Sequence, residues 1–219
     1  MLFRSKKEFF TREEMIAAFD EKRIGTSPAI FDVTRLDWFN GHYIRQLSPE
    51  RLTELAMPFL LNGLPEDARA AVDNDYARQV FVLDQERFKT LADVPLLTSF
   101  FFIEQPEYDA QSLLGKGLDA ARAVPALEAV VAALDEQAEW TPEALLQTLD
   151  AVVTRLGFIR TKGDGTQVPD RGPVFMMVRV GVSGRKETPG LTEMMTVLGR
   201  ERVMRRLYVA LDKLRALPG

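Results

Sequence analysis

The amino-acid sequence predicts an all-α protein built as two helical bundles in tandem, residues 1–107 and 108–219. Three observations predict it. Ser, Thr and Pro recur in helix-start patterns, each followed by apolar residues three and four apart. Strands do not alternate convincingly with helices, and nothing repeats at a fixed period. The apolar pattern breaks at Gln105-Pro106-Glu107-Tyr108, and a second helical set follows.

Thr11-Arg12-Glu13-Glu14 has the spacing of a capping box, with Phe10 and Met15 placed as a hydrophobic staple across it, so a helix runs to about Asp20. Gly25-Thr26-Ser27-Pro28 reads as a loop. Thr34 is the expected cap of the next helix, which carries Leu36, Phe39, Tyr43 and Ile44 on one face. Ser48-Pro49 is a cap and first-turn proline ahead of Leu52, Leu55, Ala56 and Phe59. Helices follow near 66–86 and 91–103. Pro95 interrupts the second, whose run Phe100-Phe101-Phe102-Ile103 also suits a strand and is read here as helix.

The second set opens with an Ala- and Leu-rich helix over 117–135. Thr141-Pro142-Glu143 starts another, lined by Leu145, Leu149, Val152 and Leu156 and stopped at Gly157. Residues 160–172 read as a polar, glycine-rich loop. A segment from Phe175 to Val182, a turn at Gly184, a segment over 190–198 and a final helix from Arg200 to about Leu214 complete the chain.

Composition narrows the function classes. No stretch approaches the roughly 20 consecutive apolar residues of a membrane span. The amino terminus, MLFRSKKEFF, lacks the apolar core and cleavage site of a secretory signal. Cysteine is absent, which excludes disulfides and thiolate zinc sites. A cytoplasmic protein without membrane contact is the expectation. The net charge of −4 is unevenly placed: from Arg155 onward thirteen basic residues face six acids, a net of +7, leaving −11 for the first 154 residues. An acidic body with a basic end suits a protein that meets phosphates with one end, although a solvated surface of mixed charge explains the numbers as well.

Catalytic constellations are scarce. His42 is the sole histidine, so no two-histidine metal site exists, and beside Gly41 in a helix it reads as a packing or surface residue. No glycine-rich phosphate loop follows a strand, and no pair of carboxylates is marked for separate roles. Ser5-Lys6-Lys7 reads as a charged terminus. Neither a catalytic residue nor a metal site is assigned.

Longer patterns are more specific. Phe19-Asp20, Ser27-Pro28-Ala29, Ile30-Phe31-Asp32, Leu36, Trp38, Asn40-Gly41 and Tyr43-Ile44-Arg45 form one ordered series. Glu86-Arg87-Phe88-Lys89-Thr90-Leu91 and Phe100-Phe101-Phe102 follow it. Val178 to Gly184, Glu187 to Leu191 and Leu198 to Val203 close the chain. This series resembles the region after the catalytic core in bacterial-type glutamyl-tRNA synthetases, a class I aminoacyl-tRNA synthetase family, and covers nearly the entire chain.

The resemblance implies two all-helical subdomains that grip the anticodon stem-loop of a glutamate-specific tRNA. It implies no cofactor in this chain, because ATP and magnesium belong with a preceding Rossmann-type catalytic domain that the sequence lacks. A monomer that does not charge tRNA by itself is expected. Carried over residue by residue, Arg87 matches the arginine that reads the third anticodon base, and Arg179 one near the first and second bases. Thr188, Pro189 and Leu191 match the turn and helix start that bracket those bases. Arg45, Arg185, Arg202 and Arg206 are candidates for contact with the RNA backbone. Trp38, Phe39, Tyr43 and Ile44 read as core rather than as stacking platforms. The loop at 161–171 is longer than the family pattern. The rival reading is a stand-alone helical interaction protein that kept the fold without tRNA charging.

Overall fold

A computed structural model of the chain describes residues 9–23, 32–115 and 118–217. The expected loop Gly25–Pro28 and the charged Ser5-Lys6-Lys7 lie outside these residues. Among the described residues the order is α1 (Arg12–Ala18), α2 (Val33–Arg45), α3 (Pro49–Gly63), α4 (Glu66–Ala70), α5 (Asn74–Asp84) and α6 (Asp93–Thr98). Then come α7 (Ala120–Asp135), α8 (Pro142–Arg155), a hairpin of β1 (Ile159–Thr161) and β2 (Gln167–Pro169), α9 (Gly172–Ser183), α10 (Leu191–Leu198) and α11 (Arg200–Arg215). The fold is all-α apart from that hairpin.

Local chemistry starts most of these helices. The Thr11 capping box is present in both directions: Glu14 N–H donates to Thr11 Oγ1 at 3.1 Å and Thr11 N–H to Glu14 Oε2 at 2.9 Å. Ser48 and Thr141 cap α3 and α8, each with proline at the first helical position. The cap of α2 is Asp32 rather than Thr34; its carboxylate accepts from Arg35 N–H, so the helix begins earlier than predicted. The expected helix over 66–86 divides because Asp73 caps a fresh start at α5. Pro95 does not break α6. It sits in the first turn, where a missing N–H has no intrahelical partner to lose. The Phe100 run continues as a 3₁₀ turn, Ser99–Phe101, with Phe100 and Phe101 buried.

The hairpin at 159–169 corrects the reading of a plain loop. Arg160 pairs with Val168 and Thr161 with Gln167. Asp164 Oδ1 accepts from Thr166 N–H while Gly165 takes φ +84°, so the Asp-Gly pair forms the reversal.

Two packing groups share one continuous apolar core. In the first, α3 lies against α5 and α6 through Leu52, Ala56, Leu60, Val80 and Phe81; in the second, α11 lies against α7 and α9. Helix α10 also touches α5, so the groups meet. On α2 only Gly41 and Ile44 are buried, Ile44 at 7% exposure; Trp38 and Tyr43, expected in the core, are 47% and 45% exposed. They form an aromatic cluster with Phe9 and Phe39, in which Phe9 stacks on His42 with centroids 3.6 Å apart. The indole of Trp140, by contrast, is half-buried in the second group and donates to the carbonyl of Met195 at 3.0 Å.

At the seam stands Arg206, and here the expectation of an RNA backbone contact is wrong. Its side chain is fully buried. Nε donates to Glu104 O, Nη1 to Val182 O at 2.6 Å, and Nη2 to Phe100 O and Ile103 O at 2.8 and 2.6 Å. These carbonyls end the 99–101 turn and α9, where helical oxygens lack intrahelical donors, so the guanidinium completes both ends at once. Burial pulls its pKa down to about 10, which still leaves it charged at neutral pH. Gly184 permits the close approach nearby. It takes φ +71° after α9, and a Cβ there would stand 3.0 Å from Pro106 Cβ and 3.2 Å from Glu107 O.

Candidate nucleic-acid interface

A second part of the seam gathers three arginines around the turn at 187–189. Arg87 ends the 3₁₀ turn Gln85–Arg87 that extends α5. Its Nη1 donates to Asp84 Oδ1 at 2.5 Å and its Nη2 reaches Glu187 O at 3.4 Å. Arg179 projects from α9; its Nη1 donates to Thr188 Oγ1 and to Pro189 O, the latter at 2.8 Å. Arg185 follows α9 and donates to Leu96 O and to Ser99 Oγ, with its guanidinium 5.1 Å over the Phe100 ring. Arg179 and Arg185 keep their charge despite the crowding, as guanidinium groups do. Burial first, and then the charge of Arg87, lower the pKa of Arg179.

Chemically, the arrangement holds two guanidinium forks against one turn with donors left over. Among the described residues no protein hydrogen bond uses Arg87 Nε, or Arg179 Nε and Nη2. Arg87 keeps 26% of its side chain exposed. Such groups suit planar acceptors approaching from solvent.

Not every predicted site residue is placed for contact. Arg87, Arg179 and Thr188 come together. Pro189 and Leu191 are buried, Leu191 at 4% exposure, so their side chains shape the turn from beneath and do not present a surface. The amides that open α10 have no side-chain cap, but Glu193 folds back over Gly190 and brings negative charge to that helix start. Of the expected backbone contacts, Arg45 remains near the surface, 3.8 Å from Glu86. Arg185 and Arg202 turn inward; Arg202 donates to Tyr76 Oη at 2.9 Å and Phe101 O at 2.6 Å. Together with Arg206, this shows that part of the C-terminal positive charge is engaged with carbonyls inside the fold.

Sequence reasoning missed Asp84, a fully buried carboxylate beneath Arg87. The signal was available. Ala77, Val80, Phe81 and Asp84 fall at helical spacing on the buried face of α5, so an acid occupies a core position. Burial raises its pKa to about 6, against the opposing pull of Arg87.

A family model of the anticodon-binding domain matches residues 51–211. The chain belongs to that family. This anticodon-binding domain is 36% identical over 214 residues to a glutamate–tRNA ligase of Chloroflexus aurantiacus, covering 96% of the chain and 40% of the relative. It is 34% identical over 206 residues to the enzyme of the same name from Herpetosiphon aurantiacus, covering 94% and 39%. The domain thus spans about two fifths of the length of these curated relatives. In structure it resembles a crystallised glutamate tRNA ligase of Elizabethkingia meningosepticum, with a TM-score of 0.72 at 21% identity over 95% of this chain and 38% of the other. No helix among the described residues is long and apolar enough to cross a membrane.

Proposed function

We propose that this chain reads the anticodon of a glutamate-specific tRNA as the C-terminal part of a cytoplasmic glutamate–tRNA ligase. The carrying observation is the convergence of Arg87 and Arg179 on the 187–189 turn with N–H donors uncommitted. Anticodon bases are unpaired and present their Watson–Crick edges to side chains. Cytosine offers a ring nitrogen and a carbonyl as adjacent acceptors, which fits the donor-only fork of Arg87. Guanine presents two donors at that place, and the mismatch costs on the order of 1–3 kcal/mol. Arg87 therefore favours a third anticodon base of C over G. ATP, magnesium and glutamate belong, on this reading, to a preceding nucleotide-binding domain of the longer protein, and the chain acts as a monomer.

Two measurements test this. Arg87→Gln is expected to shift the ratio of affinities for stem-loops ending in C and in G by about tenfold, because glutamine can turn an acceptor as well as a donor to the base. A phosphate contact would instead weaken both equally and leave the ratio unchanged, which would refute base reading. The purified chain is also expected to show no glutamate-dependent exchange of pyrophosphate into ATP.

A further inference from the structure

We propose that the buried Asp84 is the positioning residue that fixes the guanidinium of Arg87 and thereby sets the selectivity for the third anticodon base. The inference rests on the base-reading role of Arg87. Its own support is geometric. Asp84 ends α5 on the buried face and Arg87 lies one 3₁₀ turn later, so the two side chains meet at 2.5 Å across a rigid three-residue step. Among the described residues, the only other side-chain hydrogen bond of Arg87 is the long one to Glu187 O at 3.4 Å. Without Asp84, a long and flexible side chain would hold one weak anchor and sample many rotamers.

The carboxylate is poorly explained as a stabilising group. It is fully buried, and Oδ2 has no hydrogen-bond partner among the described residues. A buried acid with half of its acceptors unmatched contributes little to a fold, whereas one that pins a functional group has a reason to be there. Asp84 is faced by Arg87 on its own segment and by Arg185 from the turn after α9; Arg45 on α2 faces Glu86 instead. The carboxyl titrates at about 6, so the anchor is a carboxylate at neutral pH and a weaker, neutral acceptor in mild acid.

The test uses the whole chain with Asp84→Asn, Arg87→Gln and the double variant. Binding of stem-loops with C or G at the third position is measured about one unit below and two units above that pKa. Wild type is expected to lose about tenfold in its C-over-G ratio on acidification, the size of one charge-assisted hydrogen bond. Asp84→Asn should show the reduced ratio at both pH values, and the double variant should fall no further than Arg87→Gln. In the free protein, ¹⁵N relaxation of the Arg87 Nε–H should report an ordered side chain in wild type and a mobile one in Asp84→Asn. An ordered Arg87 in Asp84→Asn, or a wild-type ratio at both pH values, overturns the positioning role while base reading stands. An unchanged ratio in Arg87→Gln overturns base reading itself, and the selectivity role of Asp84 with it. The acidification arm on wild type needs no substitution, so the result survives a variant that fails to fold.

Discussion

Arg206 and Arg87 stand at the same seam between the two helical groups and are used in opposite ways. Arg206 gives Nε, Nη1 and Nη2 to four carbonyls and has no exposed surface. Arg87 has one short bond to a buried acid, one long bond to a backbone oxygen, and solvent on its remaining edge. The difference teaches how to tell an arginine that the fold has satisfied from one left with donors to offer. What matters is how many of its donors the protein already engages, and net charge does not report this. Of the +7 carried from Arg155 onward, Arg200, Arg202, Arg206 and Lys213 all reach back to main-chain oxygens.

The contrast can be broken most directly at Arg206. Arg206→Met removes every donor from those carbonyls, and leaving several buried acceptors unsatisfied is expected to cost about 4 kcal/mol or more. Urea denaturation measures it; a loss under about 1 kcal/mol would erase the distinction between the two arginines. At Asp84 the expected sign is reversed. Its folded pKa of about 6 lies above the ordinary 3.8, so the folded state holds the proton more tightly. The group's contribution to stability is therefore full below about pH 4 and declines as pH rises through about 6. Asp84→Asn should be at least as stable as wild type at neutral pH, by up to about 3 kcal/mol, and this gap should close in acid. A marked loss of stability at neutral pH would make Asp84 a structural residue after all.

Smaller effects sharpen the picture. Arg179→Met should release the turn at 188–189 and weaken both stem-loops by about tenfold, one charge-assisted contact, with the C-over-G ratio nearly kept. Calorimetric titration of the two RNAs decides it, and a changed ratio would give Arg179 a share in reading the third base. Arg45→Gln should have the least effect, about twofold on both RNAs, and should lower the dependence of log affinity on log salt by about one unit. An unchanged salt slope would remove Arg45 from the backbone contacts.

Much of the fold was legible because its signals are local. Ser48-Pro49 and Thr141-Pro142 announce their helices by chemistry contained within one turn. The hairpin at 159–169 was misread although Asp164-Gly165 marked it, since its strands are three residues each and largely exposed, leaving no apolar alternation to see. Arg206 and Asp84 were misjudged or overlooked for a common reason. Val203, Arg206, Leu207, Ala210 and Leu214 form one buried stripe on α11, as Ala77, Val80, Phe81 and Asp84 do on α5. Periodicity places both charges inside, but identifying what satisfies them requires the carbonyls of 100–104 and the guanidinium of Arg87, which tertiary folding supplies. The same holds for Trp38 and Tyr43: their helical face was readable, but whether anything covers it was not.

The positions of the two tryptophans make the seam observable by light. Trp38 lies in the first group, half exposed against Phe9, while Trp140 lies in the second with its indole N–H on the Met195 carbonyl. An indole in water emits to the red of one held in a half-buried, hydrogen-bonded niche, so each group carries its own spectroscopic signature. If the groups come apart independently, the two emission bands should shift at different denaturant concentrations. Because Arg206 ties 100–104 to the end of α9, both bands are expected to move in one transition, and single-tryptophan variants would assign each band.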